Sequence, residues 1–274
     1  MAIITISRGT FSGGLILAEE LRKNLGYRDI GKEEIIKTAS KKYGVTEDKL
    51  LKSILKGPNA FQRFTFEREQ HLAYVQAALC EHARSDNMIY HGNAGHLLLK
   101  GVPHVLRVRI VAPLELRVHF VMERQQLVHD EAVKYVEKVD KQRVKWTKFF
   151  YGVDWRSPEL YDIVFNLEGE NIHFISDMIQ YAVQREPFKT TPQSQEAMDN
   201  LTLSSLVRAA IVSDPETADA EITVRSNAGI VEIHGKVKQK DMIERMSEIA
   251  STVPGVKEVR NDVALDYRYQ QVDT

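Results

Sequence analysis

Cysteine is almost missing from this sequence: Cys80 is the single one in 274 residues. That excludes an intramolecular disulfide framework and any cysteine-rich metal site. Charge of one sign is lacking as well. With 37 basic and 38 acidic side chains the formal charge is −1, so no global field recruits nucleic acid or an anionic membrane, and neither is expected as a partner. No run approaches the ~18 apolar residues that cross a bilayer, and the opening residues lack the order of basic then apolar residues that marks an export signal. A cytoplasmic protein without a transmembrane segment is expected. Glycine and proline are modest, at 15 and 8, and there is no repeat or low-complexity tract. His71, His82, His91 and His96 do not fall at metal-ligand spacings and read as scattered surface or hydrogen-bonded histidines, and no metal-binding residues are expected. Cys80 sits in a helical pattern and reads as a small buried apolar residue. Trp146 and Trp155 read as packing anchors.

What is present is ordinary soluble composition, 43% hydrophobic and 27% charged, arranged in two different grammars. Ile3 to Ile6 is apolar at consecutive positions, as in a strand buried on both faces. A Gly/Ser loop follows, and then Leu17, Ala18, Leu21 and Leu25 repeat at helical spacing, with Gly26 placed for a C-terminal cap. Lys32 to Arg84 is helical with breaks at Gly44, Gly57 and Pro58. Further strands are expected at 88–91, 105–111 and 161–166, and further helices at 114–124, 130–149 and 172–184. Alternating strands and helices predict a three-layer α/β domain with a parallel sheet over residues 1–185. Residues 186–200, with Pro187, Pro192 and polar neighbours, read as a linker. Residues 201–268 then read as a small α+β unit of order α-β-β-α-β, with its hairpin turn at Asn227, Ala228 and Gly229.

The chemistry centres on the loop Ile6-Ser7-Arg8-Gly9-Thr10-Phe11-Ser12-Gly13-Gly14. A glycine turn between a buried strand and a helix lets backbone N–H groups converge on an anion, with the helix N-terminus adding positive potential. Arg8, Ser12, Gly13 and Gly14 are the expected phosphate-binding residues. The pattern G-x-x-x-x-G-K-[ST] is not matched: aligned on Gly13, the lysine position holds Gly14, followed by Leu15 and Ile16. A second cationic set, Lys138, Lys141, Arg143, Lys145 and Lys148, falls in the helical stretch ending at Phe149, joined by Arg124 from the helix before it. Asp29, Glu33 and Glu34 read first as charges at a helix start.

Ile-Ser-Arg-x-x-x-Ser-Gly-Gly-x-x-x-Ala, ending at Ala18, resembles the opening of the cytidylate kinase-like family of bacterial P-loop proteins. The resemblance continues at Asp29, at Tyr90-His91-Gly92, at Leu106 to Pro113, at Lys138 to Arg143, at Phe149 to Trp155 and at Tyr161 to Asn166. It implies a nucleoside-monophosphate-kinase-like fold, ATP and Mg²⁺ as cofactors, and a CMP-like acceptor. It also implies that the lysine-free Gly-Gly loop is usual. Arg143 and Lys141 would cover the transferring phosphoryl group, and Arg124, Lys148 and Asn93 would bind nucleotide or phosphate. Three positions depart from the family: Phe11 stands in place of glycine, Leu15 in place of a basic residue, and Asn93 in place of arginine. Each change removes phosphate-binding capacity.

Residues 201–267 resemble a BON domain through Leu203 to Ile211, Asp214-Pro215, Ile222 to Arg225, Gly229 to Gly235, Val253 to Val256 and Asn261 to Val263. That resemblance implies a noncatalytic module for ligand or protein contact. Two readings stay open from sequence: an ATP-dependent nucleoside-monophosphate kinase, or a nucleotide-sensing module that signals through the C-terminal domain. Homo-oligomerisation stays open too.

Overall fold

The computed structural model describes residues 2–9, 12–55, 66–168 and 171–266. Its first unit is a five-stranded sheet of β1 (Ile3–Arg8), β2 (Arg28–Gly31), β3 (Met88–His91), β4 (Val105–Val111) and β5 (Ile163–Asn166), all parallel, in the order β2-β3-β1-β4-β5. Ile3, Ile4 and Ile6 of the central strand are buried because helices cover both faces. Strand β2 is a correction to the sequence reading. Arg28, Asp29, Ile30 and Gly31 contain one apolar side chain and no period, and it is the open edge of β3 that draws them into a ladder.

Helices α1 (Gly14–Leu25) and α8 (Ile172–Val183) cover one face, where Leu17, Leu21, Ile175 and Ile179 meet Ile4, Ile6 and Val108. On the other face lie α2 (Lys32–Tyr43), α3 (Glu47–Leu55) and α4 (Phe66–Ala83), packed on Ile3, Met88 and Tyr90. Each fully buried aliphatic side chain contributes about 1.5–3 kcal/mol. Short α5 (Gly95–Leu98) follows β3. Helices α6 (Leu114–Gln125) and α7 (His129–Tyr151) form a hairpin with a small core of its own, Val118, Val121, Ala132 and Val136.

Part of the stretch 186–200, expected as a linker, is helical. A single helix, α9 (Pro192–Ser213), begins inside it and runs into the C-terminal unit. Pro192 starts this helix rather than breaking it: Thr191 and Ser194 form a capping box and the proline occupies the first turn, where its missing N–H costs nothing. Met198, Ala209 and Val212 join the core around α4, whereas Val207 and Ile211 join the C-terminal core. The interface is tied by Thr202 Oγ1 donating to Cys80 O (3.4 Å), Ser213 Oγ donating to Tyr74 Oη (3.0 Å) and Arg84 pairing with Asp199 (2.6 Å).

The C-terminal sheet is β6 (Glu221–Asn227), β7 (Ile230–Val237) and β8 (Glu258–Leu265), with α10 (Asp241–Thr252) as the crossover. β6 and β7 are antiparallel around Ala228 (φ 48°) and Gly229 (φ 93°), positive at both turn positions as a type I′ hairpin requires. β7 and β8 are parallel. A Cβ at Gly235 would lie 2.2 Å from Glu221 O, a backbone atom fixed by the ladder. Gly235→Ala is therefore expected to destabilise the fold by about 1–3 kcal/mol, read as a lower urea midpoint at unchanged slope. An unchanged midpoint would contradict the packing. Among the described residues, no helix is long and apolar enough to cross a membrane.

Candidate functional site

The chain leaves β1 between β3 and β4, at the carboxyl ends of the parallel strands, where open α/β sheets form their ligand crevice. Gly13 adopts φ +72° as the N-cap of α1, and a Cβ there would sit 2.8 Å from Leu167 Cδ1. At Gly14 a Cβ would lie 2.3 Å from Arg8 Cδ. The absence of a side chain at Gly14 thus lets the Arg8 stem lie across the first turn of α1. That turn carries backbone N–H groups without intrahelical acceptors, at the positive end of the helix dipole. Ser12 does not join this presentation: it is fully buried, and its hydroxyl donates to Gly9 O at 3.1 Å, with Ile110 O at 3.4 Å. It shapes the loop instead of facing a ligand. Phe11 lies outside the described residues. Leu15 is 41% exposed and lines the crevice, as does Ile16.

Two cavities adjoin here. The larger, about 770 Å³, is lined by Arg8, Gly9, Gly13, Leu15, Lys32, Glu33, Arg124 and Arg143, among others. The smaller, about 60 Å³, lies toward β3 and is lined by Ser7, His91, Asn93, His96, Trp146 and Trp155, among others. Arg8, Lys32 and Arg143 line both. Arg143 donates from Nη1 to Arg8 O and lies 5.4 Å from the Trp155 ring centroid. Burial lowers its pKa to about 10; Asp140 counters that, whereas Arg8 and Arg117 add to it. Arg8 is lowered by burial too, and Arg124 adds to the effect. Arg117 approaches the Gly9 backbone and pairs with Asp140 at 2.7 Å. Guanidinium groups that are partly stripped of water and depress one another are stabilised by an anion between them.

The structure brings together Arg8, Gly13, Gly14, Arg124 and Arg143, and leaves Lys141 and Lys148 outside. The reason is helical geometry: two residues along an α-helix turn the side chain by about 200°, so Lys141 points away from the face that carries Arg143. Lys141 is 75% exposed and pairs with Glu137 at 3.4 Å, and Lys148 is exposed. Asn93 lines the smaller cavity, but its Nδ2 donates to Ile54 O at 3.1 Å and so tethers α3.

Several groups in and around the two cavities were not read from the sequence. Lys32 and Arg117 each stand alone at the start of a helix and belong to no pattern. Arg109 was visible as a polar position in β4; its Nη1 donates to Arg156 O, and its guanidinium lies 4.9 Å from Trp155 and 5.6 Å from Tyr161. Tyr161 Oη donates to Trp155 O at 2.7 Å, with Ser7 Oγ at 3.0 Å. His96, expected on the surface or hydrogen-bonded, is instead buried against Tyr161 with centroids 4.6 Å apart, and neither ring nitrogen has a partner among the described residues. Trp155 Nε1 is likewise buried without a partner.

Burial, together with Arg107 and Arg109, pushes the His96 pKa down to about 3. Because this folded-state value is below the unfolded one, its contribution is complete above pH ~6.5 and is lost progressively as pH falls toward 3. His96→Gln is expected to flatten that acid limb of the stability curve by several kcal/mol; parallel wild-type and variant curves in chemical denaturation would overturn the assignment. Among the described residues no cluster of three or more His, Cys, Asp or Glu side chains is placed to hold a metal. Glu33 is the carboxylate at the larger cavity.

Comparison with known proteins agrees with this fold. The model of the cytidylate kinase-like family matches residues 3–169, and that of the BON domain matches 199–267. Cytidylate kinase from Ignicoccus hospitalis is 26% identical over 168 residues, 61% of this chain and 90% of that protein. Cytidylate kinase from Methanosarcina acetivorans is 33% identical over 104 residues, 37% of this chain and 57% of that protein, so the match spans little more than half its length. The solved structure of an uncharacterized protein from Eubacterium ventriosum superposes with a TM-score of 0.51 at 20% identity, covering 67% of this chain and 99% of that one, a likeness of fold. The lysine-free glycine loop, the guanidinium cluster around it and the parallel sheet beneath are thus those of a chain that belongs to the cytidylate kinase-like family and carries a BON domain behind it.

Proposed function

We propose that the protein transfers the γ-phosphoryl group of ATP to the phosphate of a nucleoside monophosphate of the CMP type. One observation carries this reading: Arg8, Lys32 and Arg143 line both adjoining cavities, so cationic side chains stand at the boundary where a donor and an acceptor would meet. Phosphoryl transfer asks chiefly for positioning and for neutralisation of charge that spreads in the transition state. In the transfer, the bond between the γ-phosphorus and the ADP oxygen breaks as one to the acceptor phosphate oxygen forms. A phosphate acceptor is largely deprotonated at neutral pH, so no general base is required of the protein.

Donor phosphates would rest on the N–H groups at the start of α1, between Arg8 and Arg124. Glu33 is the cavity carboxylate that would hold Mg²⁺, an oxygen-preferring cation that needs few protein ligands beside phosphate. The chemistry such an ion would supply is neutralisation of the negative charge on the donor phosphates. Arg143 would neutralise the moving group.

A second reading, nucleotide sensing without turnover, is favoured by two specific contacts: the Ser12 hydroxyl and the Asn93 amide are both spent on backbone carbonyls. A coupled assay for ADP release across nucleoside monophosphates, run beside calorimetry with ATP and CMP, separates the two. Turnover with CMP supports the kinase. Nucleotide binding without turnover for any acceptor refutes it and leaves the sensor.

A further inference from the structure

The outward face of α7 is not used by the site. Lys134, Lys138, Lys141, Lys145 and Lys148 recur at i, i+4, i+7, i+11 and i+14, and at 100° per residue they fall within a strip about 80° wide. The strip is about 21 Å long at 1.5 Å per residue. It lies opposite Arg143, Val136 and Ala132, which face the fold. All five lysines are exposed. Lys141 is paired with Glu137, and the other four have no ion-pair partner among the described residues. Lys134, Lys138, Lys141 and Lys145 border a shallow surface groove of about 310 Å³.

From this strip we infer a docking surface for the phosphodiester backbone of a nucleic-acid duplex, held without sequence readout. The argument is charge complementarity in a line. A strand of duplex places a phosphate about every 3.4 Å along its axis, so the strip spans about six phosphates with five cations. An anionic bilayer is a poorer match, because helices that lie on membranes also insert an apolar face. Here α7 buries Ala132 and Val136 in the protein, its exposed Tyr135 and Phe149 stand too far apart along the helix to form one apolar face, and the residues lining the groove include no aromatic or aliphatic side chain. Nor does that lining offer an aromatic platform for bases, which leaves backbone charge as what is recognised. The near-neutral formal charge of the whole chain conceals the strip; Glu137 borders the same groove and pairs with Lys141, which leaves four lysines without an ion-pair partner among the described residues.

The test is fluorescence anisotropy of the full chain with a labelled duplex DNA and a labelled single-stranded RNA, titrated from about 50 to 200 mM salt. Binding in the micromolar range is expected, with a log–log salt slope approaching about −4.5 for duplex, or about −3.5 for a single strand. Tighter binding of the duplex is expected, and tighter binding of the single strand would overturn the inference. The triple variant K138Q/K141Q/K145Q is expected to reduce the duplex slope by about 2.7, or the single-strand slope by about 2.1, with its thermal midpoint unchanged because all three side chains are solvent-exposed. Absence of binding to either polymer at the lowest salt would overturn the inference. So would a triple variant that binds as the wild type does, or sedimentation with phosphatidylserine vesicles in place of oligonucleotide binding. Because Lys138, Lys141 and Lys145 line neither of the two cavities, failure here leaves the phosphotransfer reading untouched.

Discussion

Replacing Arg143 with alanine is expected to lower turnover by about 10²–10³-fold while shifting ATP affinity by less than tenfold. The asymmetry follows from where the guanidinium sits. It borders both cavities, is fixed by the Arg8 carbonyl, and lies close to the Trp155 ring. A fixed donor at that boundary meets charge that is greatest while the phosphoryl group is in transit, not in the ground state. With a pKa of about 10 it remains protonated at neutral pH, although burial has depressed it. Arg143→Lys retains a charge but loses the planar fork, so it is expected to recover only part of the lost rate. Circular dichroism and thermal melting of both variants would exclude unfolding as the cause. Equal losses in affinity and turnover for Arg143→Ala would show that the residue binds substrate uniformly, and would end its assignment to the transition state.

The second large effect concerns the joint between the two units. The full chain is expected to unfold in one cooperative transition, because a single 22-residue helix, α9, is buried in both cores. Met198 is fully buried against the core around α4, some distance in sequence before the C-terminal sheet begins. Met198→Ala is expected to cost about 2–5 kcal/mol, the usual range for truncating a buried methionine. Because the helix is shared, the loss should appear as one shifted transition by calorimetry and by tryptophan fluorescence alike. Trp146 and Trp155 both report on the N-terminal unit, so far-ultraviolet circular dichroism is needed to follow the C-terminal one. Two separate transitions, with only the earlier one moved, would show that the units fold independently and that α9 is a connector.

Much of this was legible in the order of residues. Consecutive β-branched positions at Ile3 to Ile6 can be solvated on neither face, so they announced a central parallel strand. The heptad-like apolar spacing in α1 and the glycines after it fixed a helix and its end, since Gly26 takes a left-handed conformation that costs other residues energy. The type I′ turn at Ala228 and Gly229 was local chemistry as well. Such features depend on neighbours a few residues away, and a sequence states those directly.

Strand β2 was not legible, because its four residues become a strand only when β3 lends them hydrogen bonds. Pro192 looked like a linker residue because its neighbours are polar; the partner that buries Met198 lies more than a hundred residues earlier, in α4. The site shows the same division. The glycine loop, Arg8 and Arg143 were marked by motif and placement, whereas His96, Trp155, Arg117 and Lys32 converge only after the sheet and the α6–α7 hairpin are assembled. Lys141 gives the reverse case, a cation two residues from Arg143 that the turn of the helix sends to the opposite face. The sequence by itself determined that a strand, a glycine loop and a helix open a parallel α/β domain and that a small α+β unit follows. Only the tertiary structure decided which cations surround that loop and that the two units share a helix, because convergence of distant side chains and burial across an interface belong to packing and not to local propensity.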